Sequence, residues 1–208
     1  MMKSDKRIAN YLSVILMIFA LSTQLSAQSG ACDTDYTLNF SDPGNEWHVN
    51  DVSGSYTVGA QTFGIAIDDA DHILESTNES NEGLEVRIDP HDRNDVLTIT
   101  YTLSETANSV SFPIIDLDKK SGGSSQQEQV CVFGYLGNNP IAIMPMIISL
   151  DGAVAINGNC ATATTNSATS GQDESVLVEF NECIDRVVIE YGSGPMAPHY
   201  PTSSRIYI

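Results

Sequence analysis

The sequence predicts an all-β fold, an antiparallel β-sandwich of jelly-roll-like type. Apolar residues recur at every second position in many short runs, turn-forming Gly, Pro, Asn and Asp separate those runs, and no stretch of the mature chain keeps a helical period. The pattern amounts to about ten to twelve short strands, as a sandwich or barrel requires. The clearest run lies in residues 95–118. Leu97, Ile99, Tyr101 and Leu103 alternate with Thr98, Thr100 and Thr102, the signature of a strand with one buried and one wet face. After a polar break at 104–109, Val110, Phe112 and Ile114 repeat the alternation, so these two strands are expected antiparallel in one sheet. The second ends in Asp116 and Asp118.

The first 27 residues have the form of a secretory signal. Lys3, Lys6 and Arg7 precede an apolar run from Tyr11 to Leu21, and Leu25-Ser26-Ala27 offers a cleavage site before Gln28. That run is shorter than the ~20 residues needed to span a bilayer, so no membrane insertion is expected after its removal. Cys32 is a poor acylation site, because it lies well past the run and no Leu stands three residues before it. Residues 28–208 then form one domain with six basic and 26 acidic residues, a formal charge of −20. Such a surface repels nucleic acid and anionic membrane.

Tyr36, Leu38 and Phe40 alternate as a first strand, closed by the turn cluster Ser41-Asp42-Pro43-Gly44-Asn45. Trp47 follows and reads as a core plug. Tyr56 and Val58 form a short strand, Phe63, Ile65 and Ile67 another, and Leu84, Val86 and Ile88 a third, with residues 89–95 as a loop. Residues 119–127 read as a long polar loop, Val130 to Tyr135 as strand, and Ile141 to Ile148 as a strand buried on both faces. Asp151-Gly152 reads as a hairpin turn into Val154 and Ile156, and Ala161 to Gln172 as loop. Val176, Val178 and Phe180 alternate, as do Val187, Ile189 and Tyr191, before the closing Arg205-Ile206-Tyr207-Ile208.

Cys32, Cys131, Cys160 and Cys183 make an even number in an exported chain, so two disulfides are expected, with three pairings open. Cys160–Cys183 with Cys32–Cys131 is the favoured one, since Cys160 and Cys183 both flank the strand at 175–180. No CxxC pair points to zinc. Three acidic groups stand at strand ends: Asp68, Asp69 and Asp71; Asp89, Asp92 and Asp95 around Asn94; and Asp116 with Asp118. Oxygen-rich loops of this kind suit calcium, which takes six to eight oxygen ligands, or are solvated turn carboxylates. No HExxH, Gly-x-Ser-x-Gly or phosphate-binding glycine loop is present, so no enzyme is expected.

Residues 110–118 (Val-Ser-Phe-Pro-Ile-Ile-Asp-Leu-Asp), 129–135 (Gln-Val-Cys-Val-Phe-Gly-Tyr), 185–191 (Asp-Arg-Val-Val-Ile-Glu-Tyr) and the closing Ile206-Tyr207-Ile208 resemble a strand pattern of secreted surface proteins of Bacteroidota. There such a β-sandwich module commonly precedes repeats and a C-terminal sorting segment. The resemblance implies export and surface display, with this chain cut from or preceding a longer one. The expected function is a non-enzymatic extracellular or cell-surface module for adhesion or glycan binding, calcium-stabilised, whose partner is an extracellular glycan or a surface protein. The alternatives are a carbohydrate-active enzyme or its accessory domain, and a spacer in a larger surface protein.

Overall fold

The computed structural model describes residues 47–80, 83–120, 126–150, 152–164 and 174–208, all within the second of the chain's two compact units, Thr34–Ile208. The signal segment, the strand expected at Tyr36 to Phe40, Cys32 and Asp151 lie outside the described residues. Fourteen strands and no helix occur among them. In chain order they are β1 (Ser53–Val58), β2 (Gln61–Asp68), β3 (Leu74–Ser80), β4 (Gly83–Ile88), β5 (Val96–Ala107), β6 (Val110–Ile114) and β7 (Lys119–Lys120). Then come β8 (Gln126–Tyr135), β9 (Met146–Ser149), β10 (Val154–Asn157), β11 (Cys160–Ala163), β12 (Val176–Phe180), β13 (Ile184–Ser193) and β14 (Ser204–Tyr207).

The strands form two antiparallel layers. The first has the order β1-β2-β5-β13-β8-β11-β10, with β7 added on β8. The second is built from β6-β12-β9 and β14-β4-β3, which Ile115 and Tyr207 join by exchanging backbone hydrogen bonds of 3.0 and 3.1 Å. Their inner faces share one core. Ile99, Ile189 and Val132 stand side by side across the first layer, fully buried, and Val86, Ile206 and Val178 face them from the second. Alternation in sequence thus becomes one apolar face per strand, as a sandwich needs. The sandwich is as expected; the finer jelly-roll winding is not what these strand orders establish.

Trp47 is a core plug, as its sequence context suggested. Its indole N–H donates to Thr77 Oγ1 at 3.0 Å, its ring stacks on Tyr56 with centroids 6.3 Å apart, and so the polar indole edge is satisfied inside the core.

Several expectations are corrected. β5 and β6 do not share a sheet: β5 pairs with β2 and β13 in the first layer, β6 with β12 in the second, and the chain crosses between layers through Ser109 at a φ of 78°. Alternation repeats on both sides of the break because both strands face the same core from opposite layers. Likewise β9 pairs with β12 and β10 with β11, so the turn at Gly152 changes layers. The run 141–148 is not a doubly buried strand, since only its end is strand and Ile141, Met144, Met146 and Ile148 are exposed. Residues 160–163 are strand rather than loop, entered by a two-residue Gly158-Asn159 hairpin in which Gly158 takes a φ of 62°. Gln126 and Gln127 belong to β8, and the polar β3 was not foreseen.

The disulfide pairing is corrected too. Cys131 and Cys160 are bonded, with Cα atoms 4.0 Å apart, because the register of β11 on β8 sets them directly opposite. Cys183 is also disulfide-bonded. A bridge closing 29 residues restricts the unfolded chain, so replacing Cys131 and Cys160 together by Ser is expected to lower stability by about 3 kcal/mol in chemical denaturation.

At the end where β5, β8 and β12 leave their layers, Gly134 sits against the ring of Phe180. A Cβ there would lie 2.5 Å from Phe180 Cε1 and 3.0 Å from Ile184 Cγ2, both fully buried side chains. Gly134→Ala is therefore expected to cost about 1–3 kcal/mol by overpacking, read as a lower denaturation midpoint with an unchanged slope.

Candidate functional site

Strand pairing places the predicted acidic groups at one end of the sandwich. Asp68 at the close of β2 lies opposite Thr98 near the start of β5; Ile88 at the close of β4 lies opposite Ser204 at the start of β14; and Ser193 at the close of β13 lies opposite Glu128 near the start of β8. The connections 69–73, 89–95, 115–118 and 194–203 therefore all emerge together. The sequence alone shows three separate clusters; the ladder makes them neighbours.

Four of these carboxylates, Asp69, Asp71, Asp92 and Asp95, hold the loops in shape. Asp69 Oδ1 accepts from the N–H groups of Ile73 and Leu74 at 2.6 and 3.1 Å, and Asp71 Oδ2 accepts from Val96 N–H at 2.9 Å, tying the first loop to the start of β5. Asp95 Oδ2 accepts from the N–H groups of His91 and Asp92 at 2.9 and 2.8 Å. Asp92 Oδ1 accepts from Asn94 N–H and Nδ2, and its Oδ2 lies 2.9 Å from His199 Nδ1. Asp68 and Asp89 are exposed at strand ends. Asp/Asn side chains turned on nearby backbone donors are how such loops hold their shape. Among the described residues no group of three or more His, Cys, Asp or Glu side chains is placed to hold a metal ion.

Asp116 and Asp118 differ from the rest. The strand ends at Ile114, and Asp116 follows in the left-handed region with a φ of 69°, a conformation that Asp tolerates. This turns its carboxylate inward, where Oδ2 accepts from Arg205 Nε at 3.0 Å. The paired carboxylate in turn holds the Arg205 guanidinium above its ordinary value, by that hydrogen bond first. The backbone N–H of Asp118 donates to Glu128 Oε2 at 2.5 Å.

Glu128 is the centre of this buried group. Besides Asp118 N–H it receives Gln126 Nε2–H on Oε1 at 2.5 Å, and Tyr191 Oη lies 3.1 Å from the same oxygen and 2.8 Å from Ser204 Oγ. Burial pushes the Glu128 carboxyl well above its ordinary value; the Asp118 N–H pulls it back, and the negative charge of Asp118 pushes it up again. The Tyr191 O–H faces two acceptors, Glu128 Oε1 and Ser204 Oγ, while Glu128 Oε2 keeps the Asp118 N–H. Burial likewise raises the Tyr191 phenol. The signal for Glu128 in the sequence is that Glu128, Val130 and Val132 share one phase of β8 and hence one inward face.

His199 and Tyr200 were not singled out either. They stand in the 194–203 connection, docked on the 89–95 loop by the Asp92 contact and by Arg93 N–H donating to His199 O at 3.2 Å. Their rings lie 4.5 Å apart, and Tyr200 is 74% exposed. The arrangement is a solvent-facing aromatic ring on His199, which in turn is held by Asp92, itself bonded to Asn94.

Compared with known proteins, the chain matches no family model, no curated protein and no solved structure.

Because the Glu128 carboxyl is raised in the folded state, its contribution is complete below its ordinary value of 4.5 and is lost as pH rises through the folded value. Glu128→Gln keeps the shape and removes the charge. Its stability relative to the parent protein is expected to rise as pH climbs above about 4.5 and to level off above the folded value, measured by urea denaturation at each pH. A pH-independent difference would mean that Glu128 stays ionised in the fold.

Proposed function

We propose that this domain is a non-enzymatic extracellular module that binds glycans through the loop end of the sandwich. The observation that carries the reading is the exposed Tyr200 ring, packed on a His199 that Asp92 of the neighbouring loop holds, with Asn94 bonded to the same Asp92. A pyranose presents an apolar C–H face and a rim of hydroxyls. An aromatic ring takes the first, and planar carboxylate and amide groups take the second. The loops are fixed by strands and by their own side chain to backbone hydrogen bonds, so the contact groups are held ready for a ligand.

Extracellular location draws on the signal-like N-terminus and the disulfides, which suit an oxidising compartment. No helix among the described residues is long and apolar enough to cross a membrane. The absence of a catalytic motif in the sequence supports binding over hydrolysis. Calcium stabilisation belongs to the proposal as the part that a chelator tests.

The experiment is a glycan array probed with the purified protein, with calcium and again with excess chelator, followed by titration of any ligand found. Tyr200→Ala is expected to weaken binding roughly tenfold or more, with the unfolding midpoint unchanged because the ring is exposed. Binding lost on chelation would assign the calcium role, and binding indifferent to chelator would remove it. A blank array, or affinity untouched by Tyr200→Ala, would sink the glycan reading.

A further inference from the structure

Gln127 is buried where its place in the strand would expose it. It shares the outward phase of β8 with Gln129, Cys131, Phe133 and Tyr135, all half-buried, yet it is only 4% exposed. What covers it is the start of the 194–203 connection, which lies over this outer face. Gly194 N–H donates to Gln127 O at 2.8 Å, Met196 N–H donates to Gln127 Oε1 at 2.7 Å, and Ala197 N–H closes a turn on Gly194 O at 3.0 Å. The other end of the same side chain, Nε2, donates to Ala163 O of β11 at 2.8 Å. Both ends of the buried amide are thus bonded, one to the sheet and one to the connection.

The contact is close. A Cβ on Gly194 would lie 2.7 Å from Gln127 Oε1 and 2.8 Å from its Cδ, and the glutamine could yield only by giving up both of its bonds. Beyond this turn the connection crosses the loop end. Arg93 N–H donates to His199 O, Asp92 holds the His199 ring, and the chain enters the second layer at Ser204 of β14. Pro195, Pro198 and Pro201 fix the φ angle at every third residue on the way. Ala197 and Pro201 are buried, while Met196 and Tyr200 face solvent. With so few free torsions between them, the bond at Met196 bears on where Tyr200 stands.

We infer that Gln127 is a positioning residue of the glycan site, holding the 194–203 connection through Met196 and thereby the Tyr200 ring. The inference rests on the glycan reading above and adds the residue that keeps its aromatic contact in place. A ring held before binding gives up little freedom on contact, whereas a loose one must be ordered by the ligand, which weakens binding. Gln129, next in the same phase, provides the contrast. Its Nε2 also reaches β11, donating to Thr162 Oγ1 at 2.7 Å, but that bond stays within the sheet.

The test compares Gln127→Met with Gln129→Met in the purified protein. Each removes a side-chain bond from β8 to β11, and the first alone releases the connection. Two readings are taken: hydrogen exchange at the Ala197 and Arg93 amides, which bond to Gly194 O and His199 O rather than to Gln127, and binding to the glycan array. Gln127→Met is expected to speed both amides about tenfold and to weaken array binding about fivefold, while Gln129→Met matches the parent in both. Should Gln127→Met fail to fold, Gly194→Ala displaces the same contact from the other side and is expected to produce the same two changes. Equal effects of the two glutamine substitutions would make Gln127 an ordinary sheet residue and overturn the inference. Faster exchange without weaker binding, or the reverse, also overturns it. A parent protein blank on the array sinks the glycan reading and this role with it; a parent that binds, with Gln127→Met binding equally well, overturns the role alone.

Discussion

The constraint on which the structure depends is the double pairing of two consecutive strands. β13 hydrogen-bonds to β5 on one side and β8 on the other, while β12, just before it, does the same with β6 and β9 in the opposite layer. All three ribbons, β5–β6, β8–β9 and β12–β13, must therefore cross between layers at the same end. Crowding there is what excludes a side chain at Gly134, where the Phe180 ring and Ile184 already fill the corner. The same winding brings the β2–β3, β4–β5 and β13–β14 connections together at the other end, which is how scattered loops come to form one surface.

Beneath that surface the fold accepts a polar load that its core would otherwise reject. Asp116, Glu128 and Glu174 are buried, and Arg205 is the cation bonded to Asp116. A buried charge costs several kcal/mol unless it is paired and hydrogen-bonded. Asp116 meets that condition through Arg205. Glu128 is bonded on both oxygens, by the Asp118 N–H on Oε2 and by Gln126 Nε2 and Tyr191 Oη on Oε1, and burial raises its carboxyl. The 115–118 segment is thus locked to β8 and β14 by polar contacts, where apolar packing alone would leave its direction unspecified.

What was legible in the sequence follows from how many faces and neighbours an element has. β2, β4, β5, β12 and β13 read clearly, because each puts every second side chain into the core. β3 did not, because it is the edge of the second layer and its Leu-Glu-Ser-Thr-Asn-Glu-Ser sequence keeps no apolar phase. β11 is four residues long, and with it went the disulfide, since pairing between Cys131 and Cys160 is a fact of register and not of loops. Asp116 and Asp118 stand out in the sequence as two acids, two residues apart, at a strand end. Their real surroundings come from Glu128 and Arg205, 10 and 89 residues away along the chain, and no local pattern carries that.

The two margins of the second layer are handled in opposite ways. β3 presents Glu75, Asn78 and Glu79 along its edge, the polar guard that keeps exposed strands from recruiting one another. β9, at the other margin, carries Met146 and Ile148 outward and no charge at all. An acidic chain with few basic residues already resists indiscriminate association through long-range repulsion, so a bare apolar margin is tolerable in it. For the same reason such a margin is selective. Contact there must gain enough from buried apolar area to overcome the repulsion of everything around it, which a poorly fitting partner does not provide. The polar β3 edge and the acidic remainder thus supply the protection that β9, among the described residues, does not carry itself.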